Sequence, residues 1–515
     1  MPKYIAMQST SYLIIKNTGW LYAKMGITMF ISLLTTRLIL NSLGVADFGI
    51  FNVVGGAISM LGFLNAAMAA ATQRFLSYSE GTGEKEKQRV IFCVSLVLHG
   101  ILAVVVALVL LVVGSFLFNG ILDIPPGREY ASYTVYLSLI ISTAFTVSSV
   151  PYDAVLNAHE NMRYYAFVGV IESLLKLSVA LICVYTTMDK LIVYGNLMAC
   201  LPVVTLCIMR YYCHRHYAEC TLSINKYWDK ETCVEMGKFA TWSLLTSASG
   251  MVTQYGFGII LNHFFGALLN AAHGIANQLS GMLMAFSNGM LKALNPAITK
   301  KEGLGDRKGM LEASLSGCKF SFFILGCFAI PAMIQMPLLL KTWLGRVPDW
   351  AICFAVLQLL RNVLEQLTIT LHTSILAQGE IRSYSRVNSI VNVMPLLLTF
   401  IAFYYNFPPY CMYITWILFW AGVSGSIKLY YGKKLCGIEL SIFLAKVIYP
   451  CSSVALVATA VGISIGIIKD NICYNIISLI ASFFTFVVLG WVLGCNRSEK
   501  TFILGFVKMI LAKIS

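Results

Sequence analysis

Apolar positions along this chain neither alternate at the period of a strand nor mark one stripe of a helix. They run in continuous blocks separated by short polar breaks. Crossing a bilayer takes about 20 apolar residues in a helix, because lipid offers unpaired backbone groups no partner. Fourteen blocks reach that length, at roughly 12–40, 48–71, 90–118, 131–156, 164–187, 190–212, 238–262, 266–297, 313–340, 350–376, 387–405, 410–431, 443–468 and 472–494. The sixth and eleventh are short or interrupted, by Pro202 and Pro395. The expected fold class is an all-α polytopic membrane protein of about 14 transmembrane helices.

The polar breaks set the orientation. Alternate breaks starting from the N-terminal arm hold 25 Lys and Arg, the others hold 5, and 7 lie within spans. Positive residues stay on the cytoplasmic side, so both termini are expected there, which requires an even number of spans. The first apolar run is too long for a cleavable signal. No outside loop exceeds about a dozen residues; the largest, 119–130, carries Pro125, Pro126 and Gly127 and reads as a turn.

A repeat divides the chain. Leu38-Ile39-Leu40-Asn41-Ser42-Leu43-Gly44 closes the first span, and Ile259-Ile260-Leu261-Asn262-His263-Phe264-Phe265-Gly266 closes the seventh. Each precedes a Gly-Ile step, at Gly49-Ile50 and Gly274-Ile275. Six spans separate the copies, so they share an orientation, as in parallel transporter repeats. The expected organisation is a six-helix lobe (1–212), a cytoplasmic connection (213–237), a pseudo-symmetric second six-helix lobe (238–431), two further transmembrane helices (432–494) and a cytoplasmic tail (495–515). In the tail Phe502, Ile503, Phe506, Val507, Ile510, Leu511 and Ile514 recur at helical spacing beside Lys500, Lys508 and Lys513, the pattern of an amphipathic helix on an anionic leaflet.

Composition agrees: 58% of residues are apolar, only 12% are charged, and the mean hydropathy is +0.77. Soluble domains carry about 25% charged residues. The net charge of +14 would raise nucleic acid as a partner in a soluble chain; here it reports loop orientation and anionic lipid. The 15 cysteines show no C-x-x-C and no Cys/His cluster at zinc spacing, so neither disulfide nor metal is expected. There is no P-loop or H-E-x-x-H, and Gly303-Leu304-Gly305 follows no strand. An enzyme is not expected, and no cofactor.

Ionisable residues inside spans are costly enough to be functional candidates. Lys16, Arg37, Asp153 and Lys292 stand near helix ends, within snorkelling reach of headgroups, and Lys319 lies in the inner third of its span. Near the centre stand Lys24, Glu172, Lys176, Arg361 and Glu365. Glu172 with Lys176, and Arg361 with Glu365, are spaced i,i+4 and can neutralise each other. Lys24 has no such partner on its own helix, so it asks for an anion from another helix or a substrate. The eighth span presents Asn270, His273 and Asn277 on one face, with Gln278 and Asn288, and Asn52 and Asn65 mark the second. Such a face either glues helices together or hydrogen-bonds hydroxyl-rich cargo.

The run Thr36-Arg37-Leu38-Ile39-Leu40-Asn41-Ser42-Leu43-Gly44-Val45-Ala46-Asp47-Phe48-Gly49-Ile50, continued to Gly56, and Ala71-Thr72-Gln73-Arg74-Phe75-Leu76-Ser77 resemble the polysaccharide-transporter family of Wzx-type flippases. These share a superfamily with multidrug/toxic-compound extruders. The resemblance implies a bacterial inner-membrane protein that moves undecaprenyl-diphosphate-linked oligosaccharide, an O-antigen or capsule repeat unit, from the cytoplasmic to the periplasmic leaflet. It implies alternating access coupled to H+ or Na+, membrane lipids as partners, and contact with polysaccharide polymerase machinery. On this reading a cationic cavity holds the diphosphate, with Lys24 first and Lys176, Lys292, Arg361 and Asn277 beside it. Glu172 and Glu365 carry the coupling ion, and Arg37, Asp47, Gly49 and Arg74 are gate or structural positions. The alternative is a cation-exporting multidrug antiporter of the same superfamily. It needs an acidic cavity, whereas the span centres hold two acids against three bases.

Overall fold

The computed structural model describes residues 2–59, 62–118, 124, 126–468, 471–497 and 499–501. Among them every regular element is a helix. In chain order these are α1 (Pro2–Ser59), α2 (Gly62–Thr82), α3 (Lys85–Phe116), α4 (Glu129–Ala158), α5 (Met162–Tyr185), α6 (Lys190–His216), α7 (Ile224–Tyr227), α8 (Lys230–Gly303), α9 (Arg307–Ile334) and α10 (Met336–Leu344). Then follow α11 (Ala351–Gln366), α12 (Ile369–Ala377), α13 (Arg382–Tyr404), α14 (Cys411–Cys436), α15 (Leu440–Ile467) and α16 (Ile472–Gly494). The protein is a multi-pass membrane protein.

Eleven of the described helices are long and apolar enough to cross a bilayer, or twelve when α11 and α12 count as one span bent by 41°. Fourteen were expected from the apolar blocks. The two left out are 48–71 and 266–297. The first is divided between α1 and α2, with residues 60 and 61 between them undescribed. The second is the latter part of α8, helical throughout but thinned in apolarity by Asn270, His273, Asn277, Gln278 and Asn288. The link expected at 213–237 is narrower, because α6 runs to His216 and α8 starts at Lys230. Most of the expected amphipathic tail lies outside the described residues.

The chain forms two compact units, residues 16–247 and residues 1–15 with 248–515. In the first, α4 is the hub, packing against α2, α3, α5 and α6. Its core includes Val135, Tyr136 and Ile140 of α4 with Val106 and Leu110 of α3. In the second, α9 is the hub, against α11, α12, α15 and α16, around Phe322, Phe354, Tyr413, Trp416 and Phe486. Helices begin where side chains cover the free amides: Asn161 accepts from Tyr164 N, Asp189 from Leu191 N and Ile192 N, and Asp306 from Gly309 N.

The repeat has a backbone meaning. Both α1 and α8 break at the glycine that ends the motif, Gly44 at φ 80° and ψ 171°, Gly266 at φ 79° and ψ −178°. That region is open essentially only to glycine. Each pair of spans is thus joined by a single-residue corner where a longer turn was expected. Gly44→Ala or Gly266→Ala should destabilise the protein by about 1–3 kcal/mol. Gly49→Ala, inside a helical stretch with open space around it, should be neutral or slightly stabilising. Reversible unfolding of the purified full chain checks all three; equal effects at the three positions would refute the corner assignment.

Candidate functional site

In the first unit Lys24 of α1 reaches α5. Its Nζ lies 4.2 Å from the centre of the Tyr165 ring and hydrogen-bonds the Tyr165 hydroxyl. Gly169, one turn on, clears the slot: a Cβ there would collide with the lysine's Cε. Asp153 of α4 and Glu172 of α5 both act electrostatically on Tyr165. Glu172 accepts from Lys176 Nζ at 2.6 Å, so this pair closes within its own helix. Four charges and a phenol are therefore gathered on α1, α4 and α5.

At the end of the first unit that carries Gly44, Asp47 is paired with Arg128, whose Nε donates to Asp47 Oδ1 at 2.8 Å. Arg128 also pairs with Asp189, the cap of α6. The guanidinium holds the Asp189 carboxyl below its usual range. Asp47 thus ties the chain after the Gly44 corner to the starts of α4 and α6. Arg37 is exposed and Gly49 half-buried. Arg74 lies among aromatic rings, 4.7 Å from the centre of Phe75, 4.9 Å from Tyr78 and 5.7 Å from Phe239.

The second unit holds a buried polar ladder between α8, α9 and α11. Gln358 donates to Asn277 Oδ1 at 3.2 Å, and Asn277 Nδ2 donates to His273 Nε2 at 2.9 Å. His273 Nδ1 therefore carries the ring hydrogen and donates to the Tyr413 hydroxyl at 2.7 Å. Further along, Asn362 donates to Ser280, and Gln366 accepts from Ser287 at 2.8 Å and from Ser321. Asn277 is thus engaged on both its oxygen and its nitrogen. Lys292 of α8 is half-buried.

Arg361 stands beside this ladder, only 7% exposed. Its guanidinium lies 3.9 Å from the centre of the Trp416 ring and 5.1 Å from that of Trp420, and Nη2 donates to Asn362 Oδ1 at 2.6 Å. Nε and Nη1 have no hydrogen-bond partner, nor do the neighbouring Gln358 Oε1 and Trp416 Nε1. The i,i+4 pair expected with Glu365 is not a direct ion pair: Glu365 acts on Arg361 only at a distance. A charge stacked on rings with two unpaired N–H groups can receive an anionic or strongly accepting group.

Three arrangements have no counterpart among the expected site residues. Lys319 donates to Glu499 at 2.6 Å, and the same Glu499 oxygen accepts from Asn496 N at 2.8 Å. Glu499 N donates back to Asn496 Oδ1, so Asn-x-x-Glu is a capping box opening the tail. That spacing is readable in sequence; its lysine partner, 180 residues away, is not. Lys428 of α14, near the end of the 410–431 block, is buried. His159, between α4 and α5, is paired with Glu219 and Glu80 and stacks on Tyr217. It borders a cavity of about 330 Å³ whose lining includes Lys85, Arg89, His216 and both acids. Among the described residues no group of His, Cys, Asp and Glu is arranged to hold a metal ion.

A family model described as polysaccharide biosynthesis protein matches residues 14–302. Solved structures match the fold over most of the chain. An outward-facing multidrug resistance MATE family transporter of the MOP superfamily aligns with a TM-score of 0.69 at 15% identity, covering 83% of this chain and 98% of that one. A MATE protein in complex with MaD3S gives 0.71 at 15%, covering 82% and 96%. A MOP superfamily transporter from Pyrococcus furiosus, described by the reverse polarity of its binding pocket, gives 0.69 at 16%, covering 84% and 96%. At these identities the likeness concerns the fold. No match was found among curated protein sequences.

The His159 cluster makes stability depend on pH. Burial pushes the imidazole down, but its hydrogen bonds to Glu219 and Glu80 outweigh that and hold it at about 9. With an unfolded value of about 6.5, the contribution is complete below about pH 6.5 and is lost as pH rises through about 9. His159→Gln should cost up to about 3 kcal/mol at pH 6 and little above pH 10. Unfolding curves for the two proteins across that range check the sign; a gap that widens with pH would refute it.

Proposed function

This chain belongs to the polysaccharide biosynthesis protein family, and we propose that within it the protein is a flippase for undecaprenyl-diphosphate-linked oligosaccharide. On this reading it carries an O-antigen or capsule repeat unit from the cytoplasmic to the periplasmic leaflet of a bacterial inner membrane, with both termini in the cytoplasm. The observation that carries the reading beyond the family is the buried cation Arg361, with two unpaired N–H groups. A diphosphate bearing sugars cannot cross hydrocarbon unaided, because burying a charge without a partner costs many kcal/mol. A guanidinium presents parallel donors that fit phosphate oxygens.

Lys24 supplies the positive charge of the first unit, where Tyr165 keeps it ordered until an anion competes for it. Lys176, Lys292 and Asn277 complete the substrate set as hydrogen-bond donors or acceptors. Glu172 and Glu365 are the carboxylates for a coupling H+ or Na+, and alternating access moves the cargo. Arg37, Asp47, Gly49 and Arg74 serve the frame: the Asp47–Arg128 pair and the aromatic surroundings of Arg74 are structural contacts. Export of cationic drugs is the competing reading for this fold, and buried cations work against it.

Cells lacking the protein should accumulate lipid-linked oligosaccharide on the inner leaflet, and the wild type should relieve this. Losing a charge-assisted hydrogen bond worth about 1.5–3 kcal/mol lowers transport about ten- to a hundred-fold. Lys24→Ala and Arg361→Gln at equal abundance should therefore fail to rescue, while Lys24→Arg succeeds. Full rescue by both neutral variants would remove the site but keep the flippase. Absence of accumulation would discard the flippase and move drug export to the front.

A further inference from the structure

Lys24 crosses α5 at Gly169, a buried residue inside that helix. Glycine weakens a helix interior relative to alanine, so its presence in this span calls for a reason. A Cβ there would overlap the Cε and Nζ of Lys24 and stand 3.0 Å from its Cδ. These three nearest atoms all belong to the far half of one side chain. Elsewhere in the first unit tight glycines clear packing groups, the Tyr136 ring at Gly114 and Val135 at Gly195.

Tyr165, one turn earlier on α5, receives the head of the lysine. Nζ lies 4.2 Å from the ring centre and hydrogen-bonds the hydroxyl. Tyr165 and Gly169 are spaced i,i+4 and share a helix face, so the glycine supplies the space and the tyrosine the contact. Both Lys24 and Tyr165 are half-buried. A phenol is neutral at neutral pH, so this seat orders the ammonium and leaves its charge uncancelled. Glu172, on the same helix, is engaged by Lys176 at 2.6 Å.

We propose that Gly169 is a positioning residue: it lets Lys24 rest on Tyr165 when no cargo is bound, and this seat competes with an anion for the ammonium. The inference rests on the reading of Lys24 as the substrate-binding cation of the first unit, and it gives that site a regulation. A ring face holds an ammonium more weakly than the charge-assisted hydrogen bonds of a phosphate do, so a diphosphate draws the lysine off. A side chain at position 169 first meets the flexible end of Lys24 and not backbone, so Gly169→Ala unseats the lysine and leaves the helices in place. Whatever stabilises the seated form is subtracted from the affinity for an anion. Loss of the seat therefore tightens binding, whereas loss of a merely structural contact would weaken it.

Inorganic diphosphate titrated into the purified full-length protein, followed by calorimetry, tests this. Lys24→Ala should weaken binding about ten- to a hundred-fold. Gly169→Ala should tighten it about two- to thirty-fold, the range of a cation–ring contact, and Tyr165→Leu should act in the same direction. Neither should alter affinity once Lys24→Ala is present. A Gly169→Ala protein that binds more weakly than wild type, or equally, overturns the proposal. Should Gly169→Ala not fold, Tyr165→Leu decides by the same sign. Where wild type binds no diphosphate, the rate at which a membrane-permeant amine reagent acylates Lys24, read by mass spectrometry, decides instead. Acylation about twofold faster or more in Gly169→Ala keeps the seat and removes the flippase reading alone; equal rates overturn the seat.

Discussion

Charge that must reside in hydrocarbon is the constraint on which the rest of this molecule depends. Each buried ion costs several kcal/mol unless a partner is built beside it, and the helices supply partners in different ways. Glu172 and Lys176 use one helix turn. Lys24 uses the face and hydroxyl of Tyr165, a partner that orders the ammonium without cancelling its charge. Lys319 draws Glu499 in from the start of the tail, so the carboxylate that caps that segment also neutralises a lysine in α9. The packing of α5 and the anchoring of the tail both follow from where these cations fall.

The ladder in the second unit shows the same constraint acting on neutral groups. Asn277, His273, Gln366 and Asn362 each find complementary atoms on a neighbouring helix, so this part of the polar face of α8 is hydrogen-bonded to its surroundings. Four exceptions stand beside the ladder. Arg361 Nε and Nη1 and Trp416 Nε1 are donors, Gln358 Oε1 is an acceptor, and all four are unmatched. Three donors against one acceptor, around a positive charge stacked on indole, leave a local demand for acceptors. That imbalance sets Arg361 apart from the paired charges elsewhere.

Much of this was readable from the chain and part of it was not, for definable reasons. Apolar blocks mark spans because lipid imposes their length; the block at 266–297 is helical but thinned in apolarity by Asn270, His273, Asn277, Gln278 and Asn288. The i,i+4 rule finds Glu172–Lys176, where both residues share a helix face. It misleads at Arg361 and Glu365, where the rings of Trp416 and Trp420 compete for the guanidinium. Tyr165 as the partner of Lys24, Glu499 as that of Lys319, and the pairing of His159 with Glu219 depend on tertiary contacts between distant segments. Lys428 is hidden for another reason: it stands near the end of the 410–431 block, where a lysine reads as one reaching for the headgroups. The tail is readable only as far as its capping box; its amphipathic part lies beyond the described residues.

The two copies of the repeat keep one feature and differ in the rest. Gly44 and Gly266 adopt nearly the same backbone angles, because a one-residue corner of that shape excludes any side chain. Around those corners the chemistry diverges. After Gly44 come Asp47 and its Arg128–Asp189 clamp; after Gly266 come Asn270, His273 and Asn277, which lead into the ladder. Backbone geometry admits a single residue type and so preserves the corner in both copies, while the side chains need only keep their own charges and hydrogen bonds in balance. The first unit reaches that balance with ion pairs and an aromatic ring. In the second, Arg361 keeps two unmatched N–H groups beside the Trp416 ring, so a ligand that brings acceptors finds donors there.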